Sequence, residues 1–347
     1  MKKNNLILTA MLAIALCFTA CTSDDNPTNN ISGVYAAGYE QNEQGINVAK
    51  LWKNGVAQNL TDGFNNAMAW SVYISDKDVY VAGYEENSQG NTIAKLWKNG
   101  IAQDITDGNT CYTNLKALSV YVSDNDVYVA GQNDDGTGRR VGRQWKNGVV
   151  QHLSDSCPTS GSANSIFVSG NDVYVAGSEG SVAGSQPIAK LWKNGVAQNL
   201  TNGPSNAEAR SVYVSGNDVY VAGYENNNGW RAKIWKNGIM QNLSEGQSRY
   251  ASSIYISGSD VYVVETSSYQ TGIPQLWKNG VAQDITDGSS YRVNALSVYV
   301  YGKDVYISGM EQKSQQSKKV AILWKNGVAQ NLTDGNTDAE VFSVFVK

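Results

Sequence analysis

Groups that ionise, attack or hold a metal are scarce in this 347-residue chain. It has one histidine, His152, and four cysteines, Cys17, Cys21, Cys111 and Cys157. The spacing of Cys111 and Cys157 does not make a metal site, and His152 cannot complete one. No nucleophile–base arrangement or phosphate-binding glycine loop is present, so no cofactor and no catalysis are expected. Carboxylates do recur. Asp78, Asp126, Asp172, Asp218, Asp260 and Asp304 each precede Val-Tyr, and Asp62, Asp107, Asp287 and Asp334 each sit in Thr-Asp-Gly. Aspartate in tight turns bonds nearby backbone, and the spacing is not that of a calcium loop. A turn role is therefore expected of both sets. The candidates for recognition are side chains that do not repeat. Trp70, Leu118, Asn164, Arg210, Ser252, Leu296 and Phe342 share one position of a repeat, and Tyr112, Trp230, Arg231, Arg249, Tyr250, Tyr291 and Arg292 lie nearby in sequence. Aromatics mixed with arginine and asparagine suit a carbohydrate platform or a protein interface.

The elements that must position these residues follow from a repeat. Trp-Lys-Asn-Gly occurs seven times, beginning at Trp52, Trp97, Trp145, Trp192, Trp235, Trp277 and Trp324. Each unit reads as four strands. Strand a is the Ser-Val-Tyr-Val of residues 211–214, and strand b the Asp-Val-Tyr-Val-Ala-Gly of 218–223. Strand c is the Ala-Lys-Leu-Trp of 189–192, and strand d the Val-Ala-Gln-Asn-Leu of 196–200. Valine, isoleucine and tyrosine suit a pleated surface, and Asn-Gly suits a tight hairpin. Four-stranded units repeated seven times predict an all-β fold, a seven-bladed β-propeller. The units resemble WD-type and kelch repeats in length and strand count, without the Trp-Asp ending or the double glycine. The chain begins with a strand b at residues 33–38 and ends with a strand a at 343–346, so pairing these two should close the ring. An open solenoid is the alternative.

A tryptophan at one position of every unit is expected to pack between blades rather than to stack on sugars. Glu40, Glu85, Glu179 and Glu225 are expected to pair across the b–c hairpin with Lys50, Lys95, Lys190 and Lys233. Glu311 holds the same place in unit seven, while unit six has Ser267 and Gln275 instead. Twelve residues always separate the strand-a serine from the end of strand b, as from Ser71 to Gly83. The separation from Trp to the next such serine varies from 18 to 22. All length variation thus falls in b–c and d–a loops, on one face of the disc. Variable loops on a rigid scaffold are where binding residues concentrate.

The N-terminus belongs to a different layer of information. Lys2 and Lys3 precede an apolar stretch, residues 6–18, of signal-peptide length, which ends at Phe18-Thr19-Ala20-Cys21. This resembles the lipobox of bacterial lipoproteins, and the acidic Thr22-Ser23-Asp24-Asp25-Asn26 resembles the export signal of Bacteroidota surface lipoproteins. The resemblance implies a signal peptide at residues 1–20 and a lipid on Cys21 that holds the protein to the membrane. It implies an outer-membrane lipoprotein of the cell envelope, exposed at the surface. Residues 21–31 then read as a flexible tether and 32–347 as the propeller. Removing residues 1–20 takes away two lysines and no acid, so the net charge of −4 becomes −6. With no basic patch, nucleic acid is not expected as a partner. The expected function is a monomeric, non-catalytic binding module for a glycan or protein partner. An assembly scaffold and a glycan-active hydrolase or lyase are the alternatives. The disulfide between Cys111 and Cys157, which lie in equivalent loops of adjacent units, stays open against two free thiols.

Overall fold

The computed structural model describes residues 32–106, 114–134, 140–153, 160–180, 186–203, 206–244, 248–267 and 272–347. Cys21, Cys111, Tyr112 and Cys157 lie outside them, and with them the tether and the disulfide question. The alternating valines and tyrosines form seven four-stranded antiparallel sheets, with no helix among the described residues. Each strand a touches strand a of the next sheet, and the seventh returns to the first. The protein is a seven-bladed β-propeller.

Ring closure follows the two half-units. Strand b Val34–Gln41 pairs antiparallel with the C-terminal Ala339–Val346, in a register running from Val34 opposite Val346 to Glu40 opposite Ala339. The Gly33 and Lys347 backbones exchange hydrogen bonds of 2.8 and 3.0 Å. Closure through paired strands leaves no open array end.

Six of the seven repeat tryptophans are at most 2% exposed: Trp52, Trp97, Trp145, Trp192, Trp235 and Trp324. Trp97 packs with Tyr35, Ala37 and Leu51 of the preceding blade as well as with its own. The indole N–H groups of Trp145, Trp192 and Trp235 donate to the carbonyls of Thr106, Leu153 and Leu200, at the end of the preceding strand d. The tryptophan is thus an inter-blade wedge. Blade six departs from this. Trp277 is only partly buried and donates at 2.6 Å to Glu265, which stands where other blades have the strand-b glycine.

The aspartates before Val-Tyr do more than turn the chain. Their partners are side chains of the c–d turn rather than nearby backbone. Asp78 Oδ1 accepts from Asn99 Nδ2 at 2.8 Å, and Oδ2 pairs with Lys98 Nζ at 2.6 Å. Asn99 Oδ1 accepts from the Val79 N–H at 2.8 Å, and Lys98 lies over the Tyr80 ring. The Lys98 and Asn99 donors hold the Asp78 carboxyl below the usual carboxylate range. The same clamp recurs in blades three to seven. It explains the Lys and Asn of Trp-Lys-Asn-Gly, the Asn adopting the positive φ of 51–53° that the turn requires. It also puts the a–b and c–d turns on one face. The Thr-Asp-Gly aspartates act as expected, with Asp62, Asp287 and Asp334 accepting from the backbone N–H two residues on. Asp107 lies outside the described residues. The Glu–Lys pairs form in blades one, two, four and five.

The strands are longer than the apolar pattern indicates. Strand b of blade five runs Asp218–Asn226, past its glycine, and strand a runs Asn206–Ser215. Hydrogen bonding continues beyond the apolar stretch because polar residues complete the ladder there. Truncating Trp192 to Ala should cost about 3–5 kcal/mol, read as a lower midpoint in denaturant. Deletion of 343–347 removes the C-terminal half of the closing strand Ala339–Val346 and should abolish soluble folding or lower Tm by more than about 5 °C. An unchanged Tm would contradict closure by this strand.

Candidate functional site: the channel mouth

The site is built by a repeated backbone irregularity. In every blade the a–b ladder slips by one residue, between Ala69 and Ser71, Ala117 and Ser119, Ala163 and Ser165, Ala209 and Ser211, Ala251 and Ser253, and Ala295 and Ser297. Blade one has the same slip around Phe342, opposite Ala37 and Gly38. The extra residue of each bulge is one of the seven unrepeated residues, from Trp70 to Phe342. They lie within strand a, not in the d–a loops before it. A bulge turns two successive side chains to the same side, so the unrepeated residue and the following serine both line the channel. The glycine of strand b makes room for this. A Cβ at Gly38, Gly83, Gly131, Gly177, Gly223 or Gly309 would meet the carbonyl oxygen displaced by the bulge at 1.9–2.0 Å.

Below the bulges lie two rings. The seven serines Ser71, Ser119, Ser165, Ser211, Ser253, Ser297 and Ser343 each accept, through Oγ, the backbone N–H following the equivalent serine of the neighbouring blade, at 3.2–3.4 Å. Two residues further along, Tyr73, Tyr121, Phe167, Tyr213, Tyr255, Tyr299 and Phe345 touch one another in a closed circle, with centroids 4.6–5.0 Å apart.

The mouth above them is a cavity of ≈ 710 Å³. On one side Trp70 and Phe342 stack at 4.0 Å, with Tyr39 behind. On the other, Arg210 lies 5.1 Å from both the Tyr224 and Tyr250 ring centres, and Trp230 packs on those two tyrosines. Beside Arg210 is Glu208, which accepts from Tyr224 Oη at 2.6 Å, Asn164 Nδ2 at 2.7 Å and Ser162 Oγ at 3.2 Å. Burial pushes the Glu208 carboxyl up, but Arg210 and these donors outweigh it and hold it below the usual range. Glu340, three blades round the ring, shows the opposite balance. Burial raises it, and Lys319, Asn294 and Arg292 compensate only in part.

The structure therefore brings Asn164, Arg210, Trp230 and Tyr250 into one assembly and Trp70 and Phe342 into another. Tyr291 precedes strand a of blade seven, its N–H donating to the Lys313 carbonyl at 3.3 Å, and Tyr112 lies outside the described residues. Missing from the sequence reading were Glu208, Glu340, Lys116, Arg140 and Asn294 as cavity-lining residues, whereas Arg292, named there, does line it. The reading placed one arginine and no carboxylate at the rim because it considered a single position per repeat, whereas the strand continues outward through the residue two before it. A signal for the bulge was present. The apolar alternation of strand a shifts phase once, as in Ala67, Ala69, Val72 and Ile74.

No known family profile and no curated protein sequence matches the chain. Solved structures do. The β-propeller domain of the trilobed protease from Pyrococcus furiosus, described as having an open velcro topology, superposes with a TM-score of 0.55 at 12% identity, over 88% of this chain and 95% of that one. A puromycin-hydrolysing peptidase of Mycobacterium tuberculosis gives 0.56 at 10% identity, over 86% and 52%, and the Pyrococcus horikoshii acylaminoacyl peptidase 0.53 at 14%, over 88% and 51%. The chain spans about half the length of the two peptidases. What it shares with all three is the propeller fold.

The two carboxylates give opposite pH responses. Glu340 is raised, so between its unfolded and folded pKa values the native state holds more protons than the unfolded chain. Stability from this group falls as pH rises through that window, and Glu340→Gln should raise Tm above it. Glu208 is lowered, so its contribution is present above the unfolded pKa and lost as pH falls through the folded one. Glu208→Gln should lower Tm at neutral pH and flatten the acid limb. Thermal melts from pH 3 to 8 check both signs.

Proposed function

We propose that the propeller is a non-catalytic glycan-binding module, held at the bacterial outer membrane by a lipid on Cys21. The observation that carries the binding reading is the convergence of the unrepeated side chains on one cavity. Blade packing needs a side chain in every repeat, as the tryptophans and clamp residues show. The bulge residues keep their backbone position and vary freely in chemistry, which is what ligand selection requires. A concave mouth with a stacked Trp70–Phe342 wall and a polar Asn164–Glu208–Arg210 wall suits a saccharide, whose rings have apolar faces and hydroxyl edges.

The non-catalytic reading is supported by how the carboxylates are placed. Glu208 is engaged by three hydrogen-bond donors, and Glu340 sits three blades away. Glycoside hydrolysis requires two carboxyl groups flanking one bond.

Trp70→Ala and Phe342→Ala should each weaken binding of a glycan found by array screening by about tenfold or more, and Tyr250→Ala should do so through Arg210. All three should leave the far-ultraviolet circular dichroism unchanged. Lys98→Ala and Asn125→Ala, on the fixed-turn face, should bind as wild type. Sensitivity of that face with a silent mouth would invert the reading. For the anchor, Cys21→Ser should move the protein from the membrane to the soluble fraction, since stable attachment needs the lipid chains. Retention of Cys21→Ser in membranes would contradict it.

A further inference from the structure

The chemistry of the cavity floor narrows the ligand further, on the premise that the mouth binds a saccharide. Each of the seven serine oxygens already accepts a backbone N–H from the neighbouring blade. One lone pair of each oxygen is committed, which leaves the hydroxyl proton and one further lone pair to face a ligand. None of these seven protons has an acceptor among the described residues, and all seven serines line the cavity. The floor is therefore a circle of donors. Above it the walls carry four cationic side chains, Lys116, Arg140, Arg210 and Arg292, against two carboxylates, Glu208 and Glu340. This excess sits in a chain of net charge −4, whose acidic character lies elsewhere on the surface. A concave, low-dielectric wall focuses such a charge excess on the space it encloses.

Pairing of these cations within the cavity is incomplete. Lys116 Nζ rests over the Tyr84 ring, 5.1 Å from its centre, and has no carboxylate partner among the described residues. Arg210 is 3.9 Å from Glu208 at its nearest nitrogen, beyond hydrogen-bond length, and is held mainly by its two tyrosines. Arg292 acts on Glu340 through its charge but makes no ion pair within 4 Å with it among the described residues. Arg140 has a carboxylate outside the cavity, Asp134, at 3.4 Å.

We infer that the channel mouth selects an oxyanion-bearing saccharide, its carboxylate or sulfate directed to the serine floor and its sugar face against Trp70 and Phe342. Charge-assisted hydrogen bonds from several donors to one oxyanion are the strong kind. A neutral sugar would leave the excess of cationic over carboxylate side chains in the walls uncompensated.

Calorimetric titration of the full chain tests this with an oligouronate, the same oligouronate fully methyl-esterified, and a sulfated oligosaccharide. One anionic probe should bind at least about tenfold tighter than the ester near 50 mM salt, with the gap closing as salt is raised. Whichever anionic probe binds tighter names the group. Lys116→Gln and Arg292→Gln should each weaken the anionic probe about fivefold and leave the ester unchanged. The salt dependence stands even where a variant fails to fold. Equal or tighter binding of the ester overturns the anion inference and leaves the glycan reading intact. Binding of none of the three, together with a glycan array that yields no hit, overturns the glycan reading.

Discussion

One steric fact organises the channel. In six of the seven blades the glycine of strand b faces a carbonyl oxygen that a Cβ would meet at 1.9–2.0 Å. That carbonyl is where it is because strand a carries one residue too many at that point. Absence of a side chain on one strand and excess length on the other are two halves of a single arrangement. Its consequence is that two successive strand-a residues turn toward the axis. One is the serine that stitches neighbouring blades, and the other is free to vary. Without the bulge the same sequence would alternate strictly, and either the serine ring or the variable residue would be lost into the inter-blade core. The stitching serine and the recognition side chain are thus adjacent in sequence because one backbone feature presents both.

The outer half of each blade depends on a different lock. The a–b turn aspartate, the lysine and asparagine of the c–d turn and the strand-b tyrosine form one polar cluster, repeated from blade two to blade seven. In blade one Gly33 replaces the aspartate, yet Asn54 still accepts from the Val34 N–H at 2.9 Å and Lys53 still lies over Tyr35. The asparagine bridge and the lysine contact therefore persist where the aspartate is missing. This cluster fixes the lengths of both turns, which accounts for the unvarying spacing on that face. The variable b–c and d–a loops carry no clamp repeated in every blade among the described residues, and they differ in length.

The blade count, the strand order, the ring closure and the packing role of the tryptophans were all legible in the sequence, because each is written as a repeat with a physical period. The true reach of the strands was not. Apolar alternation stops near the glycine, whereas hydrogen-bonded pairing does not depend on apolar side chains and runs on through Glu208 and Tyr224. The carboxylates of the mouth were hidden for that reason. The bulge itself was written plainly, as a one-residue phase shift between the alanines and the valines of strand a. Reading it requires treating a break in period as a signal rather than as the end of an element. Arg210 and Tyr250, though identified from sequence, could not be joined there, since only the folded ring brings blades five and six together around the guanidinium.

Blade six shows how tightly the parts are coupled. It has Glu265 where the others have the strand-b glycine, and the carboxylate is fully buried, accepting from Ser244 at 2.5 Å and from the Trp277 indole at 2.6 Å. In blades three, four and five that indole N–H reaches a carbonyl of the preceding blade, so here a side chain has taken over a backbone's role as acceptor. The tryptophan is correspondingly less buried, and strand c shortens to Gln275–Lys278. The Ser253 hydrogen bond to Val298 is nevertheless kept at 3.2 Å, and Tyr255 still touches both ring neighbours. The inner circle therefore tolerates a rebuilt blade behind it. Inter-blade hydrogen bonds at the axis do not require every wedge to be identical, only that each strand a be delivered at the right height. That tolerance is what lets the mouth carry six different side-chain types at seven positions on one frame.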